Sequence, residues 1–394
     1  MLTSHFDQSA FAEKSMDMRW KRRVVAGLVA SIAMTAFAED GITEDSILIG
    51  QTVGLTGTVA SAVKEMNEGA HAYIAGVNRQ GGVNGRKIIL RIVDDKFIPA
   101  LAAANAEKLI TQDHVFALFQ SRGTPQTEAI LPLLETHQVP LVAPSTGAEI
   151  FHTPVNRWLF NVRAKYQDEV IKAIEHFTTV GINKIGLLTY EKEDPLGMEG
   201  LAGFNKGMTA RQLSPAIIAI FPRLKPDIKA TAAKLIAARP AALIIVSSGE
   251  NTIDIIKELR AQGGSMQIMT MSNNSSQEFA RDLGPAANGI LVTQVTPAPH
   301  LVSSVLGQEF KVAAKGTGTT VSYAAMEGFV SAKVLVEGIR RAGRNLTREN
   351  FVHALESMKH ADLGGLMVNY GPRNHTGSQF VEITMLGKDG RFVR

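Results

Sequence analysis

Short, nearly continuous apolar runs at Ile47 to Val53, Ile88 to Val93, His114 to Phe119 and Val139 to Ala143 alternate with longer stretches whose apolar residues recur at helical spacing. Ser61 to Arg79, Pro99 to Thr111 and the segment after Pro125 are such stretches. Strand and helix in strict alternation predict a parallel sheet covered by helices. A second series follows from Tyr166: helix to Thr178, strand over Lys184 to Tyr190, helix over Met198 to Arg211, and strand over Ile217 to Phe221. It continues with a helix over Asp227 to Ala238, a strand over Ala241 to Ser247, a helix over Ile253 to Gln262 and a strand over Ile268 to Met271. Two series of similar length predict two similarly built α/β lobes. The tail is too short for a third core: strand-like Gly289 to Val295, helices over Tyr323 to Gly343 and Asn350 to Met358, then strands over Met367 to Tyr370 and Phe380 to Met385. These elements are expected to complete the sheets of both lobes, so that the chain passes between lobes more than once, a design suited to hinge closure.

The pattern also singles out Phe119 to Ile150, a loop, helix, strand and loop. Ser121 to Thr124 precede Pro125, so Thr124 is expected to cap the helix and Pro125 to occupy its first turn. A free helix N-terminus favours a carboxylate or another acceptor-rich group. The second loop, Pro144 to Ala148, adds two hydroxyls and further N–H groups. Taken singly, each loop is an ordinary entry to a helix. One βα unit apart in an open sheet, both lie at the carboxyl edge where ligands bind.

Composition narrows the function. The 394 residues permit a large core and two domains, and aromatics are only 6%. The net charge is +4, but residues 1–38 hold five Lys/Arg and three Asp/Glu, leaving 36 against 34. With no basic run interleaved with aromatics, nucleic acid is not an expected partner. Within those first residues Arg19, Lys21, Arg22 and Arg23 precede an apolar run from Val24 to Met34 and the A-x-A site Ala36-Phe37-Ala38. That order predicts a signal peptide and a protein exported to a periplasm, with Met18 as a candidate start. The absence of cysteine removes disulfides, thiolate metal sites and a lipid-modified cysteine. Asp94 and Asp95 lack a third ligand nearby, and the ten histidines are scattered, so no metal or cofactor is expected. No G-x-S-x-G, H-E-x-x-H or phosphate-loop sequence suggests an enzyme.

Several stretches, in order, carry a family resemblance: GLTGTVASAVKEMNEGAHAY, NRQGGVNGRKIILRIVDDKFIPALAAANAEKLI, VPLVAPSTGAEI, FNVRAKYQDEV, EKEDPLGMEGLAGF, NGILVTQVTPAPH and VSYAAMEGFVSAKVLVEGIRRAG. Together they resemble the type I periplasmic solute-binding proteins of the branched-chain amino acid class. The resemblance implies two Rossmann-like lobes with parallel-sheet cores, joined by three crossovers. The lobes are expected to comprise 44–163 with 293–372, and 164–292 with 373–394. It implies a small-molecule solute held by lobe closure, no catalysis, delivery to an inner-membrane ABC permease, and a monomer. The same clamp reporting to a receptor or regulator is the alternative.

Carried over by position, the family's ligand loops fall on Gly123 and Thr124, and on Ser145, Thr146 and Gly147. In amino-acid binders these hold the carboxylate through bonds that contribute roughly 1.5–3 kcal/mol each. Across the cleft this chain departs from the family. The acid that meets the α-ammonium is replaced by Ser272-Asn273, an aromatic before Gly197 by Leu196, and one near the first helix by Ala62. An unpaired ammonium is costly to enclose, so a small carboxylate or amide-like solute is expected ahead of an amino acid. Ser248, Ser272 and Asn273 are the expected second-lobe contacts, turn formation being their competing role. Glu250 is a candidate substitute for the missing acid. Near the first crossover, Tyr166 is expected to line the cleft and Arg163 to brace the hinge.

Overall fold

The computed structural model describes Met1 and residues 39–393; the expected signal peptide lies outside the described residues. The first lobe opens with strand β1 (Ser46–Val53), helix α1 (Ala60–Arg79), β2 (Lys87–Asp94), α2 (Pro99–Thr111), β3 (Ala117–Phe119), α3 (Thr124–His137), β4 (Leu141–Val142) and β5 (Leu159–Phe160). All five strands are parallel, in the order β2-β1-β3-β4-β5. Both neighbours of β1 come later in the chain, β2 on one side and β3 on the other, so the strand order reverses there. The reversal leaves the loops after β1 and β3 to diverge at the carboxyl edge.

The second lobe runs α4 (Tyr166–Thr179), β6 (Ile185–Tyr190), α5 (Pro195–Ala210), β7 (Ile217–Phe221), α6 (Ile228–Ala238), β8 (Ala242–Val246), α7 (Glu250–Ala261), β9 (Gln267–Thr270), α8 (Gln277–Leu283) and β10 (Leu291–Gln294). The remainder is α9 (Val305–Thr317), α10 (Tyr323–Ala342), α11 (Arg348–Glu356), β11 (Ala361–Asp362), β12 (Met367–Val368), β13 (Glu382–Leu386) and β14 (Phe392–Val393). In the second sheet, ordered β14-β13-β10-β9-β8-β6-β7, strands β6 to β10 are parallel and the last two antiparallel. β8 is buried along its whole length, as expected of a central parallel strand.

The tail divides differently from the expectation. β10 ends at Gln294 inside the second sheet, paired to β13, so the chain returns to the first lobe after that residue rather than at 293. Met367 and Val368 pair with Asp362 and Ala361 in a separate ribbon, and the backbone just after β5 is bonded instead by residues 375–378, with Asn161 N donating to His375 O and Gly377 N to Asn161 O. Helix α9 and the short α8 were not anticipated, although Leu306, Phe310 and Ala314 recur on one buried face of α9 and were a usable signal. The long α10 packs on α1 closely enough that a Cβ at Gly69 would meet Ala325 O at 1.8 Å, and one at Gly328 would meet Met66 O at 1.8 Å. Two large hydrophobic cores result, one drawing on Ile47–Val162 and Leu306–Tyr370, the other on Tyr166–Ala298 with Tyr323, Leu386 and Phe392, and a small separate cluster joins Val53, Val59, Val63 and Met66. Each fully buried Leu, Ile or Phe in them stabilises its lobe by about 1.5–3 kcal/mol.

Candidate functional site

Gly123 enters α3 with φ +95, a backbone angle that side chains resist, and an added Cβ would sit 2.6 Å from Phe97 Cε2. It makes Gly123 the cap residue, and Thr124 becomes the first helical residue instead of the expected cap. The Thr124 hydroxyl instead shares a hydrogen bond with the Thr146 hydroxyl at 2.8 Å. The two loops are joined a second time, by Ser145 N donating to Ser121 O at 2.6 Å. Gly147 packs against the crossover: its carbonyl accepts from Tyr166 N at 2.8 Å, and a Cβ there would meet Ala164 O at 2.7 Å.

Arg122 links this jaw to the opposite one. Its Nη1 donates to Ser145 Oγ at 3.1 Å, and its Nη2 donates to the carbonyl of Asn273 at 2.8 Å. The residue is 5% exposed. Burial lowers its pKa, and Glu327 offsets this only in part. Among the described residues no carboxylate forms an ion pair with it, whereas Arg223 has one such partner and Arg163 two.

On the second lobe, Asp194 caps α5 through the N–H groups of Leu196 and Gly197. The same carboxylate receives Arg223 twice, Nε at 2.6 Å and Nη2 at 2.9 Å, while the guanidinium lies 4.1 Å over the Tyr190 ring. Arg223 Nη1 donates to Ser248 Oγ at 3.4 Å, and Ser248 N donates to Tyr190 Oη at 3.1 Å. The Asn273 side chain turns inward to donate to Ser247 O.

Behind the cleft lies a fully buried hinge knot. Arg163 donates to Glu169 at 2.7 Å and lies 3.6 Å from Glu327, which accepts from Ser145 Oγ. Glu169 further accepts from Ser272 N, Ser272 Oγ and Thr293 Oγ1. Tyr166 lies beneath the Arg163 guanidinium at 4.8 Å.

Of the ten residues expected at the site, Gly123, Thr124, Ser145, Tyr166, Leu196, Ser248 and Asn273 line one chamber between the lobes. Thr146, Gly147 and Ser272 do not, for the bonding reasons above. The chamber also takes in Val59, Phe97, Arg122, Pro125 and Arg223, which sequence reasoning did not select. Arg223 follows β7 at the carboxyl edge, a position that was a usable signal; Phe97 lies beyond the Asp94-Asp95 turn and carried none. Those two aspartates hold turns: Asp94 accepts from Leu55 N, Lys96 N and Thr56 Oγ1, and Asp95 from Phe97 N. No group of three or more potential metal ligands occurs among the described residues.

The chamber is tight, about 20 Å³. It shares Val59, Arg122 and Asn273 with a larger cavity of about 880 Å³, whose walls are α1 on one side and the starts of α7 and α8 on the other. The lobes meet at its edge, where a Cβ on Gly249 would lie 2.3 Å from Thr58 O. Glu250, exposed at the start of α7, lines this larger cavity and not the chamber.

A family model described as "Periplasmic binding protein" matches residues 46–391. A crystal structure of a substrate-binding periplasmic protein from Ralstonia solanacearum is 31% identical, covers 88% of this chain and 99% of its own, and superposes with a TM-score of 0.82. A leucine binding protein from Thermotoga maritima has the same fold at 18% identity and a TM-score of 0.78, with 88% of this chain and 97% of that one covered. Among curated proteins, the Leu/Ile/Val-binding protein BraC3 of Rhizobium johnstonii is 33% identical over 89 residues, 23% of each chain. A leucine-, isoleucine-, valine-, threonine-, and alanine-binding protein of Pseudomonas aeruginosa is 30% identical over 121 residues, 31% of this chain and 32% of its own. The chain thus spans about a quarter to a third of the length of these curated relatives.

Proposed function

The chain belongs to the periplasmic binding protein family, and on that premise we propose that it captures a small carboxylate, amide-like or amino-acid solute between its lobes and delivers it to an inner-membrane ABC permease. Membership makes it a solute-binding protein rather than an enzyme and implies export to the periplasm. Residues 1–38 then comprise an upstream segment and the signal peptide that directs it there, and the mature chain acts as a monomer.

The observation that carries the reading is Arg122. A buried guanidinium that, among the described residues, is bonded to neutral oxygens, one from each lobe, and paired with no carboxylate has desolvation to compensate. A solute carboxylate supplies that charge through bonds stronger than neutral ones. Because Arg122 spans the lobes, such a solute contacts both of them, which is the condition for a ligand to favour the closed state. The missing second-lobe acid supports a carboxylate or amide ahead of a standard amino acid.

The test is a thermal-shift screen of the purified protein against amino acids, aliphatic and aromatic acids, and amides. A solute at 100 times its dissociation constant adds about 2.7 kcal/mol of stability. Combined Ser145→Ala, Thr146→Ala and Thr124→Ala substitution is expected to weaken binding of whichever solute stabilises the protein; unchanged affinity would remove these loops from the site. Solution scattering is expected to contract with that solute.

A further inference from the structure

The chamber that gathers most of the expected site residues has room for about one water molecule, so a solute held by Arg122 has its bulk elsewhere. The larger cavity shares Arg122 with it, and at about 880 Å³ it falls within the range of about 300–1,000 Å³ typical of sites that enclose drug-sized ligands. Resting on the carboxylate reading above, we propose that the solute is an elongated monocarboxylate whose acid group meets Arg122 at the junction of the two cavities and whose body lies along α1 in the larger one.

Three features of the walls define the class. Ser61 and Ala62 on α1 are small and leave the space beside Arg122 open. Ile253 and Phe279 of the second lobe face it with apolar surface, which suits an aliphatic or aromatic body. Farther along, Lys64 and His71 together with the carboxylates of Glu68, Glu250, Glu278 and Asp282 make the rim polar, so a hydroxyl or another donor group at the far end is accommodated, while a second acid group is not. The two long walls belong to different lobes, so an occupant of this length joins them over more surface than the chamber alone provides.

Calorimetric titration of the purified protein tests this with acetate, 4-methylpentanoate, 3-phenylpropanoate, 3-(4-hydroxyphenyl)propanoate, 3-phenylpropanamide and leucine. The two arylpropanoates are expected to bind at least tenfold tighter than acetate or 4-methylpentanoate, and the amide at least tenfold weaker than its acid. Ser61→Phe and Ile253→Trp, which fill the cavity from opposite lobes, are each expected to weaken 3-phenylpropanoate at least tenfold while changing 4-methylpentanoate by less than threefold. Two variants on different walls guard against one that does not fold, and each is checked by its melting curve without ligand. Arg122→Lys is expected to retain part of the acid-over-amide preference and Arg122→Met to abolish it. Tighter binding of the short acids or leucine, or arylpropanoate affinity indifferent to both filling variants, would overturn the elongated solute and leave a solute binder with a compact site. Failure of every acid, the amide and leucine to bind would take down the carboxylate reading as well.

Discussion

Arg163 in the hinge and Arg122 in the cleft are both buried, at 2% and 5% exposure, and both connect to Glu327. Arg163 approaches that carboxylate directly and holds Glu169 as well; Arg122 reaches it only through the Ser145 hydroxyl. Burial lowers the pKa of either guanidinium. At Arg163 the neighbouring Tyr166, Glu327 and Glu169 outweigh burial and the pKa rises, whereas at Arg122 burial prevails and it falls. Arg223 is intermediate, near the cleft but neutralised by Asp194. The difference separates a cation whose charge is compensated within the fold from one whose compensation is left to a solute.

Breaking the compensated site should cost most. Glu169→Gln leaves Arg163 without its closest carboxylate, and removing one partner of a buried pair destabilises by about 3–5 kcal/mol. Urea denaturation measures this, and a loss under 1 kcal/mol would show the knot to be dispensable. Asp194→Asn removes a charged acceptor from Arg223 while leaving an oxygen to cap α5, so the expected loss is smaller, about 1.5–3 kcal/mol. Arg122→Met gives up two bonds from a charged donor but also removes a buried charge that has no ion pair among the described residues, so the two effects offset and the expected loss is about 1.5 kcal/mol or less. A loss as large as that of Glu169→Gln would erase the contrast between hinge and cleft.

The smallest effect is a pH dependence beside the hinge. Burial, then the positive charge of Lys165, with a smaller contribution from Arg163, push the His152 imidazole down to about 3, although Glu149 acts the other way. Between about pH 3 and its ordinary value of 6.5 the folded chain binds fewer protons at this group than the unfolded chain does. Its contribution is therefore complete above about pH 6.5 and is lost as pH falls toward 3. Burial has the opposite consequence at Asp95, whose carboxyl is pushed up to about 6, so the comparison with His152→Gln isolates the histidine. Melting temperatures from pH 7 to pH 4.5 are expected to fall less steeply in that variant than in the parent.

The alternation of apolar runs and helical stretches was enough to place most elements of both lobes within a few residues, because β1, β6 and β8 and the helices between them bury surface in a pattern set by local periodicity. Short elements were the exception. β5, β11 and β14 have two residues each, too few for a period, and they exist because a neighbouring strand supplies their hydrogen bonds. The assignment of Met367 and Val368 to a ribbon, and of Gln294 to the second sheet, likewise depended on which edges remained unpaired.

The site divides along the same line. Gly123, Thr124 and Ser145 were legible because a strand followed by a loop and a helix places its loop at the carboxyl edge whatever the rest of the chain does. Whether Thr146 and Ser272 face the cleft or turn inward was not legible, since Thr124 in one case and Glu169 in the other compete for the hydroxyl across 22 and 103 residues of sequence. The sequence by itself determined a two-lobed α/β fold with a polar jaw, because those properties follow from local pattern and the order of elements; the binding role came from the family resemblance of the stretches that carry it. Only the tertiary structure decided that Arg122 and Arg223 meet between the lobes and that, among the described residues, Arg122 has no carboxylate paired with it, because charge compensation is a property of neighbours in space.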